Sequence, residues 1–522
     1  MKRGTHMTSK YIAPLQVKTT PTNFSAYQVA IFNWVKNAQR GECAFAEAVA
    51  GSGKTTTLTE AVKYIPKGMS ILFLAFGKDI VTELKARLGE SFPASTLNSL
   101  GHRIIMANVK GRLNLFGGKY SVMVKKALSE GFAFEGNDLH TAHKFMTELI
   151  SLSMSSCADG SDESLEAVME HYAIDVPKAI SQTDAFNLVR SCLDQGLAMA
   201  KQGQISYDDQ IWVPVKMGWK PQQSDWLLID EAQDLSKAKL ELAMSAVKPG
   251  GNILFAGDRN QSIFGFAGAD AFAVENIISR TNAVRLPLSI NYRCALKIVE
   301  HAQQLVPELE ACDTAPEGEL SFDVPESRLL AEATSKDMIL CRVTNPLIGM
   351  AIKFIRNGKP AKVLGRNVGN SLIDTAKNAL QGRPWDELDE ALTEFEQVEG
   401  LALMKRRNPE AALQLLGDKV AGVRACNDGW RNANGSRITS LEEFIKVAKE
   451  LDAEGATGNF ITLSSIHRMK GKEAGIVWNI APEKNFLTWN NQRDWEILQE
   501  RNLAYVLRTR AKLALRYVRT EK

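Results

Sequence analysis

The run Ala48-Val49-Ala50-Gly51-Ser52-Gly53-Lys54-Thr55 carries the residue types needed to hold a string of phosphates. Its glycines let backbone N–H groups curl around phosphate oxygens with no Cβ in the way. In such a loop the lysine, Lys54, reaches the β- and γ-phosphates and the hydroxyl of Thr55 binds Mg²⁺. Residues Thr56–Tyr64 read as a helix whose positive N-terminus points at the same phosphates. At average residue usage the string GSGKT arises by chance in a chain of this length less than about once in a thousand. Ala50, Gly51, Ser52, Gly53, Lys54, Thr55 and Thr56 are therefore the candidate nucleotide-binding residues.

A second constellation supplies carboxylates. The apolar run Trp226–Ile229 is followed by Asp230-Glu231-Ala232-Gln233-Asp234. A strand ending in adjacent acids suits hydrolysis of a phosphoanhydride. Asp230 holds Mg²⁺, directly or through water, and Glu231 orients and deprotonates the attacking water. Asp also suits a helix N-cap, and alone the run is open to that reading. Beside the phosphate loop the hydrolytic reading prevails. Lys54 and Asp230 lie 230 − 54 = 176 residues apart, far more than one strand–helix–strand crossover. Extra strands and an inserted domain must fill the gap.

Positioning such loops takes parallel strands. Short apolar runs bounded by Gly, Asp or Ser occur at Ser70–Phe76, Trp226–Asp230, Asn252–Gly257, Met338–Arg342, Phe460–Ile466 and Gly475–Ile480. They read as buried strands of parallel sheets, alternating with helical stretches. Two long blocks, roughly 105–203 and 381–455, are helical and strand-poor. The expected architecture is α/β: two domains with parallel sheets, each interrupted by a mainly helical insertion. The first domain is expected over 8–104 and 204–281, the second over 282–380 and 456–522, with the boundary near Ser279–Pro287.

Composition agrees with a folded chain. Its 522 residues suggest two large domains with insertions, or three to four ordinary ones. Apolar residues at 45% and charged residues at 24% exclude collagen-like and wholly disordered readings. The net charge of +3 neither requires nor excludes nucleic acid. Seven scattered cysteines form no CxxC, which points to free thiols and no structural zinc or iron–sulfur centre. No apolar run approaches the ~18 residues of a membrane span, and the N-terminus lacks the apolar core of a secretory signal. Gly4–Met7 resemble a cloning remnant. An intracellular protein is expected, cytoplasmic and nucleoid-associated if bacterial or phage.

Beyond Asp234, the run Gly257-Asp258-Arg259-Asn260-Gln261-Ser262-Ile263-Phe264-Gly265-Phe266 is no longer generic. With DEAQD it resembles the UvrD/Rep/PcrA-type helicases of superfamily I, including their F-box helicase relatives. The resemblance runs in motif order from Gln28 to Arg510 and skips both insertions. It implies two RecA-like domains, ATP and Mg²⁺ as cofactors, and a set of roles. Gln28 would read adenine through its amide. Gln261 would sense the γ-phosphate. In Asn291-Tyr292-Arg293-Cys294, Tyr292 would stack on the base and Arg293 would meet the γ-phosphate. Arg510, in Leu503–Ala511, would be a second arginine finger. Glu473, in the run His467–Glu473, would bond the ribose, and His467 would touch the DNA backbone. Arg468 and Lys472 depart from that motif's small and apolar residues.

The same resemblance implies a nucleic-acid track. Phe76 and Lys78 lie in Phe76-Gly77-Lys78, and Thr96, Asn98 and His102 lie in Ser95–His102. Phe264 and Phe266 stand where the family has base-stacking aromatics, and Arg342 is grouped with them. Stacking has little sequence preference, which suits a motor that steps over every base. Three residues depart from the pattern: Ala267 for an arginine, Phe266 for a tryptophan, Asn98 for a histidine. Tyr207-Asp208-Asp209 resembles a family F-D-D segment and reads as a domain link. The activity implied is an ATP-dependent single-stranded DNA translocase and helicase moving 3′→5′, in DNA repair or recombination, on single strands and junctions. The alternatives are a translocase that strips recombinase or other proteins from DNA, and a nucleotide-gated regulatory module.

Overall fold

The computed structural model describes residues 24–519 apart from 135–137, 173, 266–271, 344, 365–367, 405–409, 430–435, 453–459 and 488–491. Phe266 and Ala267 lie outside the described residues. The chain divides into two compact units: Met1–Asn291 with Asn491–Gln499, and Tyr292–Asn490 with Glu500–Lys522.

In the first unit the strands are β1 (Cys43–Ala48), β2 (Ile71–Ala75), β3 (Ala94–Thr96), the two-residue β4 (Asn114–Leu115) and β5 (Gln204–Ile205), then β6 (Ser224–Ile229), β7 (Val247–Gly257) and β8 (Val284–Leu288). Six of them form one sheet in the order β3-β2-β6-β7-β1-β8, and every pairing is parallel. The sequence dictates this. Runs such as Trp226–Ile229 are apolar at every position, so both faces of the strand must be covered. Leu227 and Ile229 pack into the core on one face with Phe45 and Phe255. Trp226 and Leu228 pack into the other with Ala44, Ala46 and Leu254. Each fully buried Leu or Ile contributes roughly 1.5–3 kcal/mol.

The gap between Lys54 and Asp230 is filled as its length requires. The helices Lys119–Gly131, Asp138–Ser155, Asp162–Tyr172 and Gln182–Lys201 gather around a core of their own, with Val124, Met146, Leu149, Phe186 and Val189 at 0–1% exposure. The chain re-enters the sheet domain through the β4–β5 ribbon and the helix Asp209–Met217. A buried ion pair pins this return: Lys119 Nζ donates to Asp209 Oδ2 at 2.6 Å and to the Gly196 carbonyl at 2.6 Å. Tyr120 donates its hydroxyl to Asp209 Oδ1 at 2.7 Å. Asp209 thus acts as the link expected of the Tyr207–Asp209 segment.

The second unit holds β9 (Glu319–Val324), β10 (Met338–Cys341), β11 (Ala361–Val363), β12 (Ile461–Ser465), β13 (Ala474–Ile480) and β14 (Ala511–Val518). They pair, all parallel, in the order β9-β14-β13-β10-β12-β11. Residues of the helices Leu388–Met404, Glu410–Gly429 and Leu441–Asp452, among them Leu392, Val420 and Phe444, share one core with Leu372 and Ala376 of the helix Val368–Leu380 and with strand residues Ile461 and Leu463. These helices extend the sheet domain's core rather than enclosing a separate one.

One expected boundary is corrected. The second domain was expected from residue 282, yet β8 pairs with β1 from Ala44↔Val284 to Ala48↔Leu288, and the division falls after Asn291. Among the described residues no helix is long and apolar enough to cross a membrane.

Candidate active site and nucleic-acid interface

Parallel pairing sends the carboxyl ends of β6, β7 and β1, neighbours in the sheet, to one edge. The loops that leave those three ends are the phosphate loop, the Asp230–Asp234 run and the Asp258–Gln261 run. Ligands of open α/β sheets bind outside such edges. Gly51 (φ 69°) and Gly53 (φ 76°) hold left-handed backbone. At Gly53, a Cβ would find its nearest neighbour at 4.0 Å, so the backbone conformation and not space calls for glycine there. The helix Lys54–Ala61 starts at the next residue. Asn291 donates its amide to the Ala50 carbonyl at 2.7 Å and braces the loop from the far end of the unit.

The acids meet the loop directly. Thr55 Oγ1 donates to Asp230 Oδ2 at 2.6 Å, and Lys54 Nζ lies 3.5 Å from Glu231 Oε1. Glu231 sits in left-handed backbone (φ 53°, ψ 41°), unusual for a residue with a side chain and common where function over-determines geometry. Gln233, fully buried, donates its amide to Glu231 Oε2, and its Oε1 accepts from Asp258 N at 3.0 Å. Gln261 Nε2 donates to Asp258 Oδ2 at 2.6 Å. Lys54, Glu231, Gln233, Asp258 and Gln261 therefore form one connected chain.

Burial, and next the neighbouring Glu231, push the Asp230 carboxyl well above its ordinary range; Lys54 and Thr55 pull it back. Burial likewise raises Asp258 to about 6 against the pull of Lys54 and Gln261. A buried carboxylate short of positive charge, facing a hydroxyl on a phosphate loop, fits a hard divalent cation. Among the described residues no cluster of three or more His, Cys, Asp or Glu could hold a metal alone, so such an ion would draw further ligands from phosphate and water.

Gln28 lies beside the loop, buried, with both amide atoms engaged. Its Oε1 accepts from Ser25 N at 3.0 Å, closing a capping box, and its Nε2 donates to Thr57 Oγ1 at 3.0 Å. Thr56 accepts from Arg87 at 3.4 Å on the outer face of the helix.

The remaining expected nucleotide residues belong to the second unit. Arg293 Nε lies 2.5 Å from Glu473 Oε2, and Lys512 Nζ lies 2.5 Å from Glu473 Oε1. Partial burial raises the Glu473 carboxyl, but Lys512 and Arg293 outweigh it and hold it below its usual range. Tyr292 is exposed. Arg510 is wholly buried and donates to the carbonyls of Val506 and Lys472, each at 3.0 Å. In this structure Arg293 and Arg510 thus engage groups of their own unit.

On the first unit Phe76 is exposed and stacks with Phe264, centroids 6.4 Å apart and planes within 8°. The ammonium of Lys239 lies 5.1 Å from the centre of the Phe76 ring. Lys78 is exposed on the next turn. Thr96 caps the helix Leu97–Asn108. Asn98 donates to the Tyr207 carbonyl at 3.1 Å and to Gln210 Oε1 at 3.0 Å, and Gln210 Nε2 meets His102 Nδ1 at 3.3 Å. In the second unit Arg342 grips Glu500 with two nitrogens, at 3.0 and 2.5 Å. Beside them, burial and then the Arg342 charge lower His467 to about 4, so it is a neutral imidazole at pH 7.

Sequence reasoning passed over Gln233, Asp258, Lys239 and the bracing role of Asn291. Gln233 and Asp258 stood inside motifs already singled out, and Gln233's place amid four acidic or apolar neighbours was the available signal. Lys239 carried none.

A phosphate loop, paired acids and a polar sensor at the carboxyl edge of a parallel sheet define a P-loop nucleotide-binding domain. Residues 35–282 match the family described as UvrD/REP helicase N-terminal domain. The chain is 25% identical over 288 residues to the ATP-dependent DNA helicase Rep of Escherichia coli (strain K12), covering 50% of this chain and 40% of that protein. It is 22% identical over 518 residues to F-box DNA helicase protein 1 of Schizosaccharomyces pombe (strain 972 / ATCC 24843), covering 91% of this chain and 55% of that protein. The chain spans about half the length of the curated relatives it matches.

Proposed function

We propose that the protein is an ATP-dependent DNA helicase that translocates along single-stranded DNA, in the 3′→5′ direction. The observation that carries this reading is the connected chain from Lys54 through Glu231 and Gln233 to Asp258 and Gln261, beside the Thr55–Asp230 hydrogen bond. It links a phosphate loop and a base to a buried sensor in the short turn after β7, three residues before Phe264.

Lys54 binds the β- and γ-phosphates. Thr55 and Asp230 hold Mg²⁺, which supplies positive charge to the phosphates. Glu231 Oε2 accepts a proton from the attacking water, oriented by the Gln233 amide. Gln261 reports the phosphate state to the stretch beyond it. Arg293 and Arg510 supply further positive charge to the transferred phosphoryl, exchanging their present partners for it. Gln28 contributes to adenine recognition, with Tyr292 and Glu473 on base and ribose. Phe76, Lys78, Phe264 and Phe266 contact the strand on the first unit together with Thr96, Asn98 and His102, and Arg342 and His467 are the strand contacts of the second unit.

The test is ATP hydrolysis with and without single-stranded DNA and RNA, beside displacement of oligonucleotides from 3′- and 5′-tailed duplexes. Stimulation by DNA with unwinding of the 3′-tailed substrate is expected. Displacement of DNA-bound protein without unwinding would favour the stripping activity, and no stimulation would defeat the motor reading.

A further inference from the structure

Residues 298–327 carry eight Asp or Glu and no Lys or Arg, where the chain's 60 acids and 63 cations in 522 residues would place three or four of each. The stretch covers most of the helix Leu296–Gln303, the chain after it and the strand β9. Glu317 and Glu319 are neutralised from outside it, by Lys297 and Arg516, each at 2.7 Å. Glu300, Asp313 and Asp323 are among the exposed acids that leave a surplus of negative charge. Such a surface repels phosphate, so it is no part of a nucleic-acid track. Within it stands a ring that no core covers: Phe322 of β9 is 57% exposed.

The ring is fixed in place. One face lies against Tyr517 of β14, with centroids 5.1 Å apart and planes within 4°. The His301 ring meets Phe322 edge-on at 5.7 Å and bonds the Tyr517 hydroxyl through Nε2 at 2.8 Å. A side chain held in this way loses little freedom on binding a partner. Among the described residues β9 is the outermost strand of its sheet, so no strand covers the other face of Phe322. Nor does that edge invite a further strand. The β9–β14 register shifts between Ser321 and Val324, and Asp323 there adopts left-handed backbone (φ 53°). A bulge of this kind twists an edge away from pairing. What the edge offers is a flat ring rimmed by carboxylates. Near the start of the same helix, Leu296 and Leu513 add exposed apolar side chains.

We infer that this edge of the second unit is a docking surface for a basic segment of a partner protein, with an arginine of that segment stacked on Phe322 and its other cations facing carboxylates such as Glu300 and Asp323. Charge complementarity selects the partner. A guanidinium is planar, weakly hydrated and always charged, so it answers both features of the patch: it stacks on an aromatic face and pairs with a carboxylate. A lysine would answer the charge but stack less well on the ring. A purely apolar partner would desolvate the carboxylates and leave them uncompensated. The inference goes beyond the proposed DNA-translocating function and does not depend on it.

The experiment measures binding of the full chain to fluorescein-labelled nona-arginine and nona-lysine by anisotropy, across a salt series. Nona-arginine should bind more tightly than nona-lysine of the same charge. Phe322→Ala should weaken nona-arginine binding by roughly 2- to 30-fold, and Phe322→Tyr should bind as the wild type does. Phe322→Leu keeps an apolar cover over Tyr517, so its melting temperature should hold while its loss of binding matches that of Phe322→Ala. The double variant Glu300→Gln/Asp323→Asn should weaken both peptides and flatten their salt dependence; asparagine tolerates the left-handed backbone at 323. Glu163→Gln/Glu170→Gln, on the helix Asp162–Tyr172 of the first unit, should leave both unchanged. Wild-type binding by the Phe322 variants, or an equal loss in the Glu163/Glu170 variant, overturns the docking surface. Weaker binding of oligo-dT by Phe322→Leu overturns it as a protein site. A dimer in sedimentation that Phe322→Leu dissociates makes a second copy the occupant, and tighter peptide binding after deletion of residues 1–23 makes it the chain's own N-terminus with Lys2, Arg3 and Lys10. Either result overturns the separate partner.

Discussion

Lys54 and Gln233 test the site from two sides. Lys54 belongs to no apolar core and directs its ammonium at Glu231, 3.5 Å away, so Lys54→Ala should abolish ATP turnover with little change in melting temperature. Retained turnover, or gross unfolding, would remove it from the site. Gln233 holds Glu231 and the backbone before the sensor. Gln233→Leu should keep ATP binding and lower turnover by roughly 10- to 100-fold, the usual cost of losing a partner that orients a catalytic group. Arg510→Ala should lower turnover by roughly 10³-fold if Arg510 is a finger. Its hold on the Val506 and Lys472 carbonyls means that melting must be measured beside activity. Loss of stability with full turnover would make Arg510 structural. At this scale the sequence was most legible where loop geometry restricts residue choice: glycines that must adopt positive φ, a lysine and a threonine that follow them. It was least legible where a residue acts through another. The Lys239 ammonium approaches Phe76 only because the fold brings distant segments together, and no local spacing announces that.

Element placement followed from periodicity with one instructive exception. Short, mainly apolar runs bounded by Gly, Asp or Ser are too short for a helix and suit strands covered on both faces, so β2, β6, β10, β12 and β13 were readable. The boundary was expected near Ser279–Pro287, a stretch that includes most of β8 and its Pro287. Pro lacks the N–H that an inner strand must donate on both sides. The structure resolves the conflict by placing β8 at the sheet edge, paired only with β1. The helical blocks were legible as helices but not as packing. An amphipathic helix shows that it has an apolar face, not which face it meets. The Lys119–Asp209 pair is the strongest element-level test. Both side chains are fully buried, so Lys119→Met leaves an uncompensated carboxylate and should cost ~3–5 kcal/mol in denaturant unfolding. Pairing it with Asp209→Leu should recover much of that loss. A neutral single variant would refute the pinning role assigned to this pair.

Across the whole molecule the two units carry opposite responses to acid. In the first, the Asp258 carboxyl is raised to about 6, above its value of 3.8 in an unfolded chain. Between those values the folded unit takes up the proton first, so its stability gains as pH falls through 6. In the second, burial and then Arg508 lower His301 to about 4, and His467 stands at about 4 for the reason given above. Unfolded histidine titrates near 6.5, so as pH falls from 6.5 to 4 the unfolded chain binds protons that the fold refuses, and stability declines. Other groups facing His301 do not reverse this: its Nε2 meets the Tyr517 hydroxyl at 2.8 Å, and the Arg508 guanidinium caps its carbonyl. Stepwise acidification should therefore unfold the second unit first, splitting one thermal transition into two between pH 7 and pH 5. His301→Gln keeps a group able to hydrogen-bond Tyr517 and removes the titration. It should shrink the pH-dependent drop of the lower transition while leaving the pH 7 value nearly unchanged. An equal drop in wild type and variant would show that the buried imidazole does not set the acid limit of this unit.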